Sequence, residues 1–117
     1  MVSPSAWHYS TAKKLIKELG RNWGHKSEDG ISTTIAQKLP DNRTGHEVTF
    51  FHEDAKGRRK YFAEIAANHG FKVVIKPNGK IDECSGKFGF ENIKDAAEFV
   101  SLVDLVSKHL KEGSKSG

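Results

Sequence analysis

The stretch AKGRRKYFAEIAANHG, residues 55–70, decides how the rest of the chain is assembled. Tyr61, Phe62, Ile65 and Ala66 recur at helical spacing, and Gly70 stands where a helix ends in a left-handed residue, so a helix is expected over 55–69. Its first turns would hold Lys56, Arg58, Arg59 and Lys60. Cations there oppose the helix dipole, each forgoing about 0.3–1 kcal/mol that a carboxylate would have gained. Glu53 and Asp54 offset this at the very start.

Working outward toward the C-terminus, Phe71, Val73 and Ile75 alternate with Lys72, Val74 and Lys76, which predicts a strand, and Asn78-Gly79 favours a tight hairpin turn. The return strand starts near Lys80, with a bulge or break expected at Ser85-Gly86 and a resumption through residues 87–91. Ala96, Phe99, Val100, Val103, Val106 and Leu110 then recur at three- and four-residue steps, predicting a helix that Asn92 caps and Gly113 closes. Residues 114–117 are expected to form a flexible tail after a single domain over 1–113.

Toward the N-terminus, residues 46–52 alternate with Val48 and Phe50 on one face and Thr49 and Phe51 on the other, as in a strand. Residues 41–45 read as a turn, because Asn, Asp and Gly tolerate its dihedral angles. Residues 31–39 are rich in β-branched side chains and stop at Pro40, so a second short strand is expected there. Residues 21–30 are polar with Trp23 as the one apolar anchor and read as a loop. Ala12, Leu15, Ile16 and Leu19 form the buried stripe of a first helix that starts near Ser5 or Ser10 and ends at Gly20.

The resulting order is αββαββα: an α+β two-layer sandwich, with an antiparallel or mixed four-stranded sheet carrying helices on one face, in a ferredoxin-like or permuted arrangement. Composition agrees with one small domain. The chain has 117 residues, 36% hydrophobic and 29% charged, and a formal net charge of +4. Its lone Cys84 excludes an internal disulfide framework and a multi-cysteine zinc site, and fits a reducing, cytoplasmic setting. No run reaches the roughly 18–20 apolar residues of a membrane span.

Residues 86–90, Gly-Lys-Phe-Gly-Phe, precede a helix containing Asp95-Ala96-Ala97-Glu98, and together they resemble the aromatic signature strand and following helix of the RNA-recognition motif. The resemblance implies RNA binding by aromatics that stack on bases. Two departures matter. Lys87 follows the first glycine instead of preceding it, and Glu91 takes an aliphatic position. With Phe88 and Phe90 turned to solvent, Lys87 and Glu91 would face the helices, and burying such a pair is costly. Phe88 and Phe90 are therefore expected in the core.

The remaining signals are a basic segment and scattered histidines. Lys56, Arg58, Arg59 and Lys60, joined by Lys72, Lys76 and Lys80, are the expected binding residues if the basic segment and the hairpin lie on one side of the domain. His46 and His52 share a face but stand about 20 Å apart along a strand, too far to share a metal. These histidines are expected at the surface or at helix ends, and His69 in the last turn of its helix. His52, Glu53 and Asp54 form the one acid–base cluster, from which a small nuclease could be built. No metal-ligand spacing, nucleophile motif or phosphate loop is present, so neither cofactor nor metal is expected. The expected function is a basic, non-enzymatic module that binds nucleic acid or an anionic protein surface. Its rival is an inhibitor, immunity or phage-type accessory protein docked on a partner enzyme.

Overall fold

The computed structural model describes residues 4–28, 32–53, 59–87, 89–90 and 92–115. Its elements are α1 (Pro4–Leu19), β1 (Trp23–Glu28), β2 (Ser32–Lys38), a 3₁₀ turn (Pro40–Asn42), β3 (Thr44–Glu53), β4 (Arg59–Ala66), β5 (Phe71–Ile75), β6 (Ile81–Gly86) and α2 (Ile93–Lys115). The strands form one six-stranded antiparallel meander in sequence order. This overturns the expected four-stranded, ferredoxin-like αββαββα sandwich.

Strand periodicity divides the sheet into two faces. Across β2 to β5, Ile35 pairs with Val48, Val48 with Ile65, and Ile65 with Val73. A second row runs Thr33, Phe50, Ala63 and Ile75. All of these are buried, and they meet Ala12 and Leu15 of α1 and Phe99, Leu102, Val103, Val106 and Leu110 of α2 in one core. Among the described residues no element packs on the other face, which carries Thr34, Thr49, Phe51, Phe62, Glu64, Lys72 and Val74.

Residues 59–66 are therefore strand, not helix, and the reason lies in their neighbours. Ala63 and Ile65, two apart, are fully buried between β3 and β5, whereas Phe62, Glu64 and Ala66 turn to the open face. Gly70 (φ 75°) does not cap a helix. It is the left-handed residue of a three-residue hairpin turn, in which Ala67 N–H donates to Phe71 O at 2.9 Å and Gly70 N–H to Ala67 O at 3.1 Å. A left-handed glycine serves both a helix C-terminus and this type of turn.

The expected loop over 21–30 contains β1. An edge strand is held by one ladder of backbone bonds and needs few apolar side chains, and here Trp23 alone is buried. At the opposite edge, β6 runs unbroken through Gly86. Its register shift comes at Asp82, between the Ile75–Ile81 and Val74–Glu83 pairs, rather than at Ser85-Gly86. Lys87, Gly89 and Phe90 lie outside any strand, so among the described residues of 87–91 the return strand does not resume; Phe88 and Glu91 lie outside the described residues.

Both expected terminal helices are present, with altered ends. Gly20 (φ 101°) ends α1 with a bond from its N–H to Ile16 O at 2.9 Å, and Asn92 Oδ1 accepts the Asp95 N–H at 2.8 Å. α2 passes Gly113 and ends at Lys115. His109 Nε2 lies 2.7 Å from Glu18 Oε2 and ties the two helices together. In the β5–β6 turn Gly79 has φ 84°, and a Cβ there would stand 2.8 Å from the Ser107 carbonyl oxygen, so this glycine lets the hairpin rest against α2.

The strand assignment predicts opposite outcomes at two neighbouring alanines. Ala63→Asp should destabilise the protein by about 3 kcal/mol or more in urea unfolding, since it buries an unpaired carboxylate. Ala66→Asp, on the open face, should cost less than about 1 kcal/mol. A helical stripe of Tyr61, Phe62, Ile65 and Ala66 demands the reverse order.

Candidate functional site

Two regions bring together side chains beyond the needs of folding, one on each side of the sheet. The first is the open face and the end toward which the β3–β4 and β5–β6 hairpins turn. In an antiparallel meander alternate turns share one end, so residues 53–59 and 76–80 connect strands at the same end of the sheet. Two strand spacings, roughly 10 Å, separate the bases of these hairpins. β3 and β4 also continue past the last β4–β5 pair, Ala63 with Ile75. On that extension Phe51 and Phe62 stand opposite each other and stack on the open face, with ring centroids 4.9 Å apart and planes 15° apart.

The expected binding residues distribute unevenly over this region. Lys56 and Arg58 fall within 54–58, outside the described residues. Arg59 and Lys60 are the first residues of β4, and their side chains are likewise not described. Arg59 and Lys60 stand in a strand, so over 59–66 there is no helix dipole for cations to oppose. Lys76 and Lys80 flank the β5–β6 turn, and Lys76 Nζ lies 3.3 Å from Asp82 Oδ1. Lys72 lies toward the opposite end of β5, opposite Ala66, with its Nζ 3.2 Å from Glu64 Oε2. Lys26 likewise pairs with Glu47. Exposed pairs of this kind contribute about 0–1 kcal/mol, and they offset part of the cationic charge both in the middle of the open face and, at Lys76, at the hairpin end. Lys111 of α2 packs beside Gly79 at that end, a cation outside the expected set.

The second region is a groove of about 470 Å³ on the helix side, between the end of α1, the first half of α2 and the sheet. It is lined by Leu19, Trp23, Leu102 and Leu105, with Gln37, His46, Lys94, Glu98 and Ser101 as polar groups. His46 is at its floor. The β2–β3 register shifts between Ala36 and Lys38, so that two residues, Gly45 and His46, oppose Gln37. Such a bulge re-aims a side chain. His46 N–H donates to Gln37 Oε1 at 3.2 Å, and its ring tilts against Phe99 with centroids 5.5 Å apart. Gln37 crosses directly over Gly45, where a Cβ would come within 2.2 Å of its Oε1.

His46 is 9% exposed, and its Nδ1 is buried with no hydrogen-bond partner among the described residues. Burial lowers its pKa from the ordinary imidazole value, the nearby Glu98 and Asp95 carboxylates oppose that shift, and His69 adds to it. Surface or helix-end placement, the expectation for these histidines, is thus wrong for His46 and for His8, which is fully buried with Nδ1 2.5 Å from Thr33 Oγ1. The signal for His46 is present in its parity, since it is two and four residues from core-facing Val48 and Phe50. His69 lies in the β4–β5 turn, with its ring 5.0 Å from that of Phe90. Phe90 packs on Phe71 and Phe99, in keeping with its expected core role, and Phe88 lies outside the described residues.

Other sequence signals have simpler placements. Trp23 is buried at the sheet's end, Cys84 is exposed on β6, and Tyr9 stacks on His25 at 5.0 Å. His52 and Glu53 end β3 with side chains not described, and Asp54 lies outside the described residues. Among the described residues no group of three or more His, Cys, Asp or Glu side chains could hold a metal ion. None of the described helices is long and apolar enough to cross a membrane. No protein-family model, curated protein or solved structure matches the chain.

The lowered pKa of His46 has a definite consequence for stability. A histidine whose folded-state pKa is depressed contributes fully above its unfolded value, and that contribution is lost as pH falls toward the folded value. Urea unfolding between about pH 8 and about pH 5 should show wild-type stability falling as pH drops through the imidazole range. His46→Gln should flatten that part of the curve; an unchanged slope in the variant would assign the loss to other groups.

Proposed function

We propose that the protein is a binding module for single-stranded nucleic acid, which it engages with the open face and the hairpin end of its sheet. The observation that carries this reading is the Phe51–Phe62 stack on the uncovered face, on the strand extension that leads into the basic segment Lys56, Arg58, Arg59 and Lys60. Lys80 and Lys76 flank the neighbouring turn at the same end of the sheet. Aromatic surface beside a cationic track is what single strands require, because every base has a π-face and every nucleotide a phosphate. Lys72 is left out of the set because it lies toward the other end of β5, paired with Glu64; Lys76 is also paired, with Asp82, but stands at the hairpin end.

An accessory protein docked on a partner enzyme is the second reading. It draws on the β6 edge, where Ile81 is 55% and Val100 of α2 57% exposed beside a groove of about 390 Å³ also lined by Phe71, Cys84 and Phe90. Unpaired edges and exposed apolar residues invite protein contacts. Co-purification of one stable partner from nuclease-treated extract would favour this second reading over the first.

A salt titration with an oligonucleotide of mixed sequence tests the nucleic-acid reading. Binding should weaken linearly in log–log form, and Arg58→Gln with Arg59→Gln should lower the slope by roughly 1.4, about 0.7 for each single-strand phosphate no longer neutralised. Phe62→Leu, which keeps an apolar side chain, should cost about 1 kcal/mol of affinity or more by removing a stacking surface. Absence of binding at low salt, or binding indifferent to both arginines, would sink the reading.

A further inference from the structure

We propose that the exposed edge strand β6 pairs antiparallel with β6 of a second copy of this chain, about a two-fold axis at Ser85, so that the two meanders join into one sheet. The pairing leaves the open face uncovered and does not rest on the nucleic-acid reading.

The two edges of the sheet are not equivalent. β1 is interrupted in its middle by a register shift between His25 and Ser27. In β6 the shift comes near the start, at Asp82, and residues 83–86 run in regular register against β5. All six residues of β6 are exposed, and α2 packs on β4 and β5 without closing over it. Between β6 and α2 lies the groove of about 390 Å³, where Ile81 and Val100 are more than half exposed beside buried Val73, Phe99 and Val103. An unpaired edge with apolar surface next to it is a template for another strand.

The ladder determines which backbone groups are left to pair. Ala67 N–H donates to Phe71 O, and Lys76 N–H donates to Lys80 O. Alternation along β5 then turns the backbone groups of Phe71, Val73 and Ile75 toward β4, and those of Lys72, Val74 and Lys76 toward β6. Cys84 and Gly86, opposite Val73 and Phe71, accordingly present their N–H and C=O groups outward. A second β6 centred on Ser85 sets each Cys84 opposite Gly86 of the other copy and joins the edges through these groups.

The order of charges identifies the occupant as a second copy. Lys80 and Lys87 flank β6, with Asp82 and Glu83 between them. Asp82 is taken up by Lys76, whereas Glu83 and Lys87 have no ion-pair partner among the described residues. A uniformly acidic or uniformly basic strand would meet like charge along part of this edge. The edge itself, reversed about Ser85, sets Glu83 opposite Lys87 twice, once in each direction, as a two-fold interface requires. Centring on Glu83 instead would oppose two carboxylates.

Sedimentation equilibrium of the full chain over a range of concentrations, under reducing conditions so that Cys84 forms no cross-link, measures the pairing. The protein should dimerise reversibly. Glu83→Lys or Lys87→Glu alone, each at an exposed position, should weaken the dimer roughly tenfold, because each sets like charges opposite one another at both pairs. An equimolar mixture of the two variants should regain about wild-type affinity as a heterodimer, in which both pairs again join opposite charges. A chain that stays monomeric up to about 1 mM leaves the edge to another partner and overturns the proposal. So does a dimer indifferent to both substitutions, or one that the mixture fails to restore.

Discussion

The structure depends on the pairing of β3 with β4, which sets Val48 opposite Ile65 and Phe50 opposite Ala63 on one face of the sheet. All four residues are fully buried, and they lie at the centre of the rows that β2 and β5 extend on either side. Because the side-chain period of a strand is two, a slip of β4 by one residue against β3 would carry Phe62 into the core and expel Ala63 and Ile65. The two helices then have one surface to cover. They use it fully, α1 over β1 to β3 and α2 over β4 and β5, and leave the other face without a partner element among the described residues.

From this asymmetry come both candidate sites. On the helix side, a groove between the end of α1 and the first half of α2 is lined by His46, whose Nδ1 is buried and has no hydrogen-bond partner among the described residues. On the open side, polar and charged residues alternate with the core positions, and three ion pairs, Lys26 with Glu47, Lys72 with Glu64 and Lys76 with Asp82, balance its charge. Beside these pairs, at the hairpin end, lies the phenylalanine stack. The +4 net charge is thus less informative than its distribution along the sequence, where cations cluster in residues 56–60 and recur at Lys76 and Lys80.

Much of the architecture was legible where local signals agreed. The 71–75 strand alternates cleanly and its turn glycine is left-handed; α2 has an unbroken apolar stripe and an asparagine cap; Gly20 ends α1. The failures have physical causes. Residues 59–66 place apolar side chains on both faces, with Phe62 and Ala66 outward and Ala63 and Ile65 inward, so their spacing resembles a helical stripe, and Gly70 fits either ending. β1 is an edge strand recruited by backbone bonds, which leave almost no apolar trace. Of the candidate sites, the basic residues are evident from composition, but that the β3–β4 and β5–β6 connections share one end of the sheet needs the strand order. His46 forms no motif that would single it out, although its parity with Val48 and Phe50 already assigns it to the buried face.

At the centre of this picture is the proposal that the sheet offers its open face to a single-stranded nucleic acid while the other face serves the core. Mapping amide chemical-shift changes across the described residues on addition of a short oligothymidylate at low salt tests it most directly. The changes should concentrate at Thr49, Phe51, Phe62 and Glu64 and around Lys76 and Lys80, fading as salt is raised. Changes centred instead on the exposed side of α1 and α2, or no changes at all, would contradict it.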